Sequence, residues 1–150
     1  MTAPAAHGLH CGCHTSRALT LPGVPESVRE FRQVARQLAA TPYQAEAAAL
    51  CVSELVTNAL LHSRSGKPGG SVTVIFDTRT VLPGELCIWV HDDGPRATAP
   101  ARSGLPGVAE SGYGLRIVAQ VAADQGRICP ADDTATSWCI VAAEPDSEVA

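Results

Sequence analysis

Three polar side chains recur at every fourth residue within residues 53–62, at Glu54, Asn58 and His62. Residues at i, i+4 and i+8 lie on one side of a helix. A carboxylate, a carboxamide and an imidazole on one side of a helix can accept and donate hydrogen bonds to a shared ligand. This stripe is therefore the first candidate site.

Apolar residues occupy the opposite side of the same helix. At about 100° per residue, they fill an arc from about 100° to 240° away from Glu54: Ala48, Ala49, Val52, Leu55, Val56, Ala59 and Leu60. More apolar residues interleave with the polar stripe, where a solvated face would carry several charges: Ala47, Leu50, Cys51 and Leu61. The pattern predicts a helix over residues 44–62 with a semi-enclosed polar site. The alternative is an ordinary amphipathic helix that happens to carry Glu and Asn.

The second candidate segment, residues 86–95, is an apolar β-prone run that ends in Asp92-Asp93-Gly94-Pro95. It predicts a strand with a carboxylate at its end, where ligands commonly bind. A carboxylate can accept a hydrogen bond from an exocyclic amine such as that of adenine. The alternative is a capped strand end followed by a turn, since Asp and Gly are common turn residues.

In the third segment, Gly112 and Gly114 precede an apolar helical pattern at residues 115–122. Glycines before a helix let the backbone approach a ligand closely, and the N–H groups of the helix N-terminus can then bind phosphate. No Gly-Lys-Ser/Thr follows, and neither a third glycine nor a preceding strand is present. The segment is therefore neither a P-loop nor a dinucleotide fingerprint.

The three segments, in this order, resemble the N box and the two glycine boxes of the ATP-binding superfamily that includes DNA gyrase, histidine kinases and MutL-type repair proteins. The sequence is most similar to the bacterial anti-sigma-factor serine kinases and their single-domain relatives. Ser-Glu-Leu-Val-Thr-Asn-Ala-Leu-Leu-His matches the N box of that branch, and Gly-Tyr-Gly-Leu-Arg-Ile-Val matches its second glycine box. The resemblance covers residues 17–143.

The resemblance implies a role for each matching residue. Asn58 would ligate a Mg²⁺ that bridges the nucleotide phosphates, and Glu54 would act as general base or orient a hydroxyl. Asp92 would bind the adenine amine, with Gly94 leaving room for the ring. The implied nucleotide-binding set is Asn58, His62, Asp92, Gly94, Gly112, Gly114 and Leu115.

Two residues depart from the family pattern near the expected phosphates. Arg96 stands where the first glycine box often has its last glycine, and Tyr113 stands where this branch often has arginine. Residues 95–111 are rich in Pro, Ala and Gly and fall where the family has its ATP lid. We expect them to be mobile without nucleotide and to become ordered by its phosphates.

The 150 residues fit one domain, and 45% hydrophobic with 17% charged residues is typical of a globular chain. A net charge of −4 argues against nucleic-acid binding. We find no apolar run of about 20 residues and no basic, apolar leader at the N-terminus, so we expect a cytoplasmic protein without a membrane anchor.

Four of the six cysteines, at positions 51, 87, 129 and 139, lie within apolar helix or strand patterns and are predicted to be buried and reduced. The other two belong to the tail that we assign to residues 1–16, which carries His7, His10, Cys11, Cys13 and His14. Zinc binding is one hypothesis for this tail, but the spacing favours a disordered segment. Residues 144–150 are predicted to be a second tail.

The remaining patterns complete an α+β fold: a mixed, mainly antiparallel sheet covered on one face by helices. Strands are predicted at residues 18–21, 71–78 and 86–91, helices at residues 25–39 and 114–123, and a final hairpin from residues 127–129 and 136–142. A nucleotide would bind between the helices and the lid.

The favoured function is an ATP-binding regulator that acts as an anti-sigma-type serine/threonine kinase. It would bind a sigma factor and phosphorylate an antagonist protein, and homodimerisation stays open. The main alternative is a nucleotide-binding interaction module without phosphotransfer. A histidine-kinase catalytic domain is less favoured because no helix with a phospho-acceptor His precedes the domain, and a metal-responsive regulator would depend on the tail.

Overall fold

The computed structural model describes residues 16–79, 84–96, 108–129 and 134–145, with only the backbone of residues 108–114. In this part of the chain five strands form one sheet in the order β1-β2-β3-β5-β4, and every ladder is antiparallel. The strands are β1 (Ser16–Pro22), β2 (Ser71–Asp77), β3 (Leu86–Asp92), β4 (Asp124–Ile128) and β5 (Ala135–Val141).

Helices α1 (Pro25–Leu38), α2 (Pro42–His62) and α3 (Val108–Val121) accompany the sheet, and a short 3-10 helix (Arg64–Gly66) follows α2. Both α1 and α2 begin with proline in the first turn, where its missing N–H costs nothing. The hydroxyl of Thr41 accepts the Gln44 N–H at 3.1 Å and caps α2. The α+β class that the sequence predicts is confirmed.

Helix α2 is the central element of the core. It packs against α1, α3, β3 and β5. Side chains alternate between the two faces of the sheet, and a continuous set of apolar ones points toward the helices. These side chains are fully buried: Val72, Val74, Phe76, Leu86, Ile88, Val90, Cys139 and Val141. At the start of α2 the buried amide of Gln44 donates to the carbonyls of Gly84 and Val141, each at 2.8 Å. The helix is thereby attached to the sheet at one end, independently of the site at its other end.

Most predicted elements are confirmed to within a few residues, but the predicted start of α3 is wrong. The helix begins at Val108, so Gly112 and Gly114 lie inside it and do not precede it. A glycine costs a helix only about 1 kcal/mol relative to alanine. Since residues 108–111 contain no proline, two glycines do not stop the helix. Residues 97–107, most of the predicted lid, lie outside the described residues.

Three of the four predicted core cysteines are buried, namely Cys51, Cys87 and Cys139. The prediction for Cys129 is wrong, because this residue is exposed. It follows the last residue of β4, which is an edge strand of the sheet that the described residues form. Among the described residues no helix is long and apolar enough to cross a membrane. Cys11 and Cys13 lie outside the described residues.

Two of the three buried thiols, Cys87 and Cys139, are also poor nucleophiles, whereas a hydrogen bond with Cys139 lowers the pKa of Cys51, which is protected from reagents by its complete burial. Burial raises the pKa of Cys87 to about 11, and contact with Cys51 together with burial raises the pKa of Cys139 well above the ordinary value. Since the thiolate is the reactive form, a raised pKa slows reaction with thiol reagents.

We therefore expect one fast and three slow thiols in a Cys11→Ser/Cys13→Ser variant of the folded protein. Cys129 should react rapidly with a maleimide, and Cys51, Cys87 and Cys139 only after denaturation. Mass spectrometry after peptide digestion locates each modification. Rapid labelling of Cys51 or Cys139 in the folded state would contradict the packing of α2 on β5.

Candidate functional site

Asp92 is the last residue of β3, and its side chain lies on the helix-facing side of the sheet. It is paired in register with Ala135 and is 3% exposed. Its Oδ1 accepts the N–H of Gly94 at 2.7 Å. Gly94 adopts a φ of 88°, which side-chain-bearing residues rarely tolerate, so glycine is required for the chain to turn back over the carboxylate. The turn thereby fixes the position of the Asp92 carboxylate at the end of β3.

Burial raises the pKa of Asp92 above its ordinary value, since a carboxylate loses solvation between sheet and helices. The Gly94 N–H and the positive charge of Arg127 act in the opposite direction but do not cancel the effect of burial. A buried carboxylate without a paired cation is suited to accept hydrogen bonds from a neutral amine.

The turn after Asp92 lies directly against the C-terminal end of α2. Ser63, which caps α2, forms a β-bridge with Pro95, and the Arg64 N–H donates to the Gly94 carbonyl at 2.8 Å. The Ser65 hydroxyl accepts the Asp93 N–H at 2.9 Å. We call these contacts between residues 63–65 and residues 93–96 the clasp.

Two guanidinium groups complete the clasp. Arg64 donates from Nε to the Asp93 carbonyl at 3.0 Å and from Nη2 to the same oxygen. Arg96 donates from Nε to the Ser63 carbonyl at 3.1 Å and from Nη2 to the Leu60 carbonyl at 3.0 Å. The carbonyls at the end of a helix lack partners within the helix and carry its negative dipole, so a cation stabilises them. Arg96 is thus a cap for α2.

The predicted polar stripe lies on the partly exposed side of α2. Glu54, Asn58 and His62 are each partly exposed. His62 directly precedes the clasp, and at 1.5 Å per residue Asn58 and Glu54 lie about 6 Å and about 12 Å further along the helix axis. The stripe therefore runs away from the Asp92 turn in the order His62, Asn58, Glu54.

Exposed apolar side chains accompany this stripe. Leu50 and Leu61 of α2 are 39% and 59% exposed, and Leu115 of α3 is 45% exposed. On the wheel of α2, both leucines lie within about 40° of Glu54. Large apolar groups beside a polar stripe are typical of a site that a ligand or a covering segment fills.

Gly112 and Gly114 lie within α3, whereas the sequence predicts that they precede it. Helix α3 packs on α2, so Gly112, Gly114 and Leu115 lie on an element that contacts the helix of the stripe. The N–H groups without partners inside a helix are those of its first four residues. In α3 these belong to residues 108–111, whereas those of Gly112 and Gly114 are used within the helix.

The described residues contain no group of three or more His, Cys, Asp or Glu side chains that could hold a metal ion. Asn58, the one metal ligand that the sequence predicts, is not of these residue types, and its role stays a prediction. Magnesium in nucleotide sites commonly takes only one or two protein ligands and completes its shell with phosphate oxygens and water. The His/Cys tail, where we weighed a zinc site, lies outside the described residues.

The chain matches the family model of the histidine kinase-like ATPase domain over residues 21–130, which is more than half of its length. It therefore belongs to the histidine kinase-like ATPase family, and this membership supports an ATP-binding regulatory function. The match includes both α2 and the Asp92 turn. A search of the curated proteins finds no match.

Sequence reasoning missed the clasp. Asp92 and Gly94 are recognisable from the strand-to-turn pattern, but their partners Arg64 and Ser65 lie about 30 positions earlier in a polar loop. The one sequence feature that could have indicated these contacts is Arg96, a large cation at a position where the family often has glycine.

Arg96 is expected to stabilise both the fold and the nucleotide site. Arg96→Ala removes two charge-assisted hydrogen bonds and should lower the free energy of unfolding by about 1–3 kcal/mol. It should also weaken ATP binding, because the Asp92 turn loses its attachment to α2. Arg96→Gly, which restores the common family residue, should behave similarly. Urea unfolding and calorimetry measure the two effects, with Arg29→Ala on the exposed side of α1 as control. Wild-type values for both variants would refute the role of Arg96 in the clasp.

The raised pKa of Asp92 predicts a pH effect on stability. The folded protein holds the Asp92 proton more tightly than the unfolded chain, so its contribution is greatest below the ordinary pKa of 3.8 and is lost as pH rises through the folded pKa. The difference in unfolding free energy between wild type and Asp92→Asn should therefore fall as pH increases from 3.8 toward neutrality. A difference that rises over this range would mean that the pKa of Asp92 is lowered.

Proposed function

We propose that the protein is an ATP-dependent serine/threonine kinase of the anti-sigma-factor type. One observation supports the proposal: the clasp holds the turn that follows Asp92 at the end of α2 from which His62, Asn58 and Glu54 recede in order. A nucleotide with its adenine at Asp92 and its phosphates along α2 would meet Asn58 before Glu54. Phosphoryl transfer needs this order, since the acceptor hydroxyl lies beyond the terminal phosphate.

In the proposed reaction, Asp92 accepts a hydrogen bond from the adenine amine, and Asn58 would provide an oxygen ligand to Mg²⁺. The ion would neutralise charge on the phosphates. Glu54 accepts the proton of a substrate hydroxyl as that oxygen attacks the terminal phosphorus. The bond between this phosphorus and the bridging oxygen breaks, and ADP leaves.

A second candidate function is nucleotide binding without phosphotransfer. It is favoured by the position of Gly112 and Gly114 inside α3, where their N–H groups are not presented to phosphate. The two glycines together lower the stability of this helix by about 2 kcal/mol relative to alanine, so a nucleotide could unwind its first turns. An α3 that stays helical through residue 112 with ATP bound would favour the second candidate.

The partners are also proposed by resemblance: a sigma factor that the protein binds, and an antagonist protein whose serine it phosphorylates. Affinity purification from the native host, with and without ATP, followed by phosphosite mapping, identifies both. A phosphoserine that appears on a co-purified protein only when Glu54 is intact would support the kinase.

Three variants separate binding from chemistry. Asp92→Asn should lose most ATP affinity, because the carboxamide presents a donor to the adenine amine. Asn58→Ala should lose the Mg²⁺-dependent part of the affinity. Glu54→Ala should bind ATP normally and transfer phosphate about 10²–10⁴-fold more slowly.

Calorimetry with ATP at varied Mg²⁺ measures binding, and labelled ATP with the purified antagonist measures transfer. Glu54→Gln is the matched variant, because it keeps the size of the side chain and removes only the base. If Glu54→Gln transfers phosphate at the wild-type rate, the assignment of Glu54 fails. If wild type binds no ATP at any Mg²⁺ concentration, the proposal fails altogether.

A further inference from the structure

A second cleft, of about 670 Å³, lies beside the clasp. Its described lining consists of Arg64, Lys67, Pro68, Gly69, Gly70, Asp93, Arg96 and Thr134. The volume is within the range of about 300–1,000 Å³ that small-ligand sites occupy. In the part of the chain that the structure describes, Glu54, Asn58 and Asp92 are not among the lining residues. The cleft is therefore distinct from the nucleotide site.

The charge of this cleft is strongly unbalanced. Among the described lining residues, three cationic side chains and one carboxylate, Asp93, leave two net positive charges in a protein whose overall charge is −4. Neither Arg64 nor Arg96 has a carboxylate within ion-pair distance among the described residues, where the ion pairs are Arg36–Glu46 and Arg79–Asp77. Their partners are backbone carbonyls, which orient the guanidinium groups without neutralising them.

The cations are also held in place before any ligand arrives. Each guanidinium uses Nε and Nη2 on the carbonyls of the clasp, and so retains other N–H donors of its planar group. The Asp93 carboxylate is turned to the Ser71 N–H at 3.1 Å. Preorganised donors lose little entropy when they bind, which favours a ligand that accepts several hydrogen bonds.

The loop that carries Lys67 leaves the cleft accessible. The Gly70 N–H donates to the Lys67 carbonyl at 2.8 Å and closes a turn in which Gly69 has a φ of 82°. A Cβ added to Gly69 would meet no atom within 4 Å, so this backbone borders open space. The exposed ammonium of Lys67 adds three rotatable donors at the mouth of the cleft.

We infer that this cleft binds a phosphate oxyanion, separately from the nucleotide that the proposed function requires. A phosphate monoester carries a charge of about −1.5 to −2 at neutral pH, which matches the two net positive charges better than a single carboxylate does. Guanidinium groups fit its oxygens through paired N–H donors. The ligand is either free phosphate or pyrophosphate, or a phosphorylated side chain of another protein.

The test is a titration of the full-length ¹⁵N-labelled protein with inorganic phosphate and with pyrophosphate, followed by amide chemical shifts at constant ionic strength. Saturable shifts should appear in residues 64–71 and 93–96. Lys67→Gln should weaken binding about tenfold, the effect of losing one charge-assisted contact. Arg29→Gln, which removes one positive charge from the exposed side of α1, should leave the affinity unchanged.

The Asn58→Ala variant distinguishes this cleft from the nucleotide site. It alters only the nucleotide site, so its affinity for inorganic phosphate should equal that of the wild type. The inference is overturned by shifts that do not saturate, by equal affinity in wild type and Lys67→Gln, or by loss of binding in Asn58→Ala. Lys67 offers no described side-chain hydrogen bond to the fold, so an unchanged spectrum elsewhere shows that Lys67→Gln remains folded.

Titration with a neutral peptide, in one form with phosphoserine and in another without it, identifies the source of the phosphate. If the phosphorylated peptide binds more tightly than inorganic phosphate and the unphosphorylated peptide does not bind, the cleft recognises a phosphorylated protein. If inorganic phosphate or pyrophosphate binds and the peptide does not, the ligand is a small oxyanion. Both results support the site, whereas no binding by any of the probes refutes it.

Discussion

The attachment of the Asp92 turn to the end of α2 is the constraint on which the site depends. A strand end and a helix end are each weakly determined, because their last carbonyls and N–H groups lack partners within the element. Here each supplies partners to the other: Arg64 and Ser65 bind the turn, and Arg96 binds the helix carbonyls. The carboxylate that would bind adenine and the helix that would meet the phosphates therefore behave as one rigid unit.

The position of α2 makes this attachment effective. Its first half buries Ala47, Ala48, Ala49, Cys51 and Val52, and Gln44 attaches its start to the sheet. Its second half exposes the polar stripe. A helix that is fixed by packing at one end and by the clasp at the other holds Asn58 and Glu54 at set distances from Asp92. Preorganisation of this kind is what a phosphoryl-transfer site requires, because catalysis there consists largely of positioning and charge stabilisation.

The contacts of the clasp also explain the structural role of Arg96. A large cation in place of a glycine near a phosphate site would ordinarily indicate either a phosphate ligand or an obstruction. Because its guanidinium binds the carbonyls of Ser63 and Leu60 at the end of α2, the departure from the family pattern is compatible with nucleotide binding. The same capping leaves its charge unneutralised at the wall of the second cleft. One residue therefore links the stability of the helix end, the geometry of the Asp92 turn and the proposed binding of an oxyanion.

The sequence by itself determined the α+β class, α1 and α2, the strand that ends in Asp92 and the stripe at Glu54, Asn58 and His62. These depend on periodicity and turn chemistry, which act over a few residues and are therefore visible in a linear pattern. Only the tertiary structure decided that α3 begins before Gly112, that Cys129 is exposed and that Arg96 binds helix carbonyls. The cost of two glycines in a helix is small enough for context to override, and the exposure of Cys129 depends on β4 being an edge strand. The contacts of the clasp join residues about 30 positions apart, and no local pattern encodes a contact of that separation.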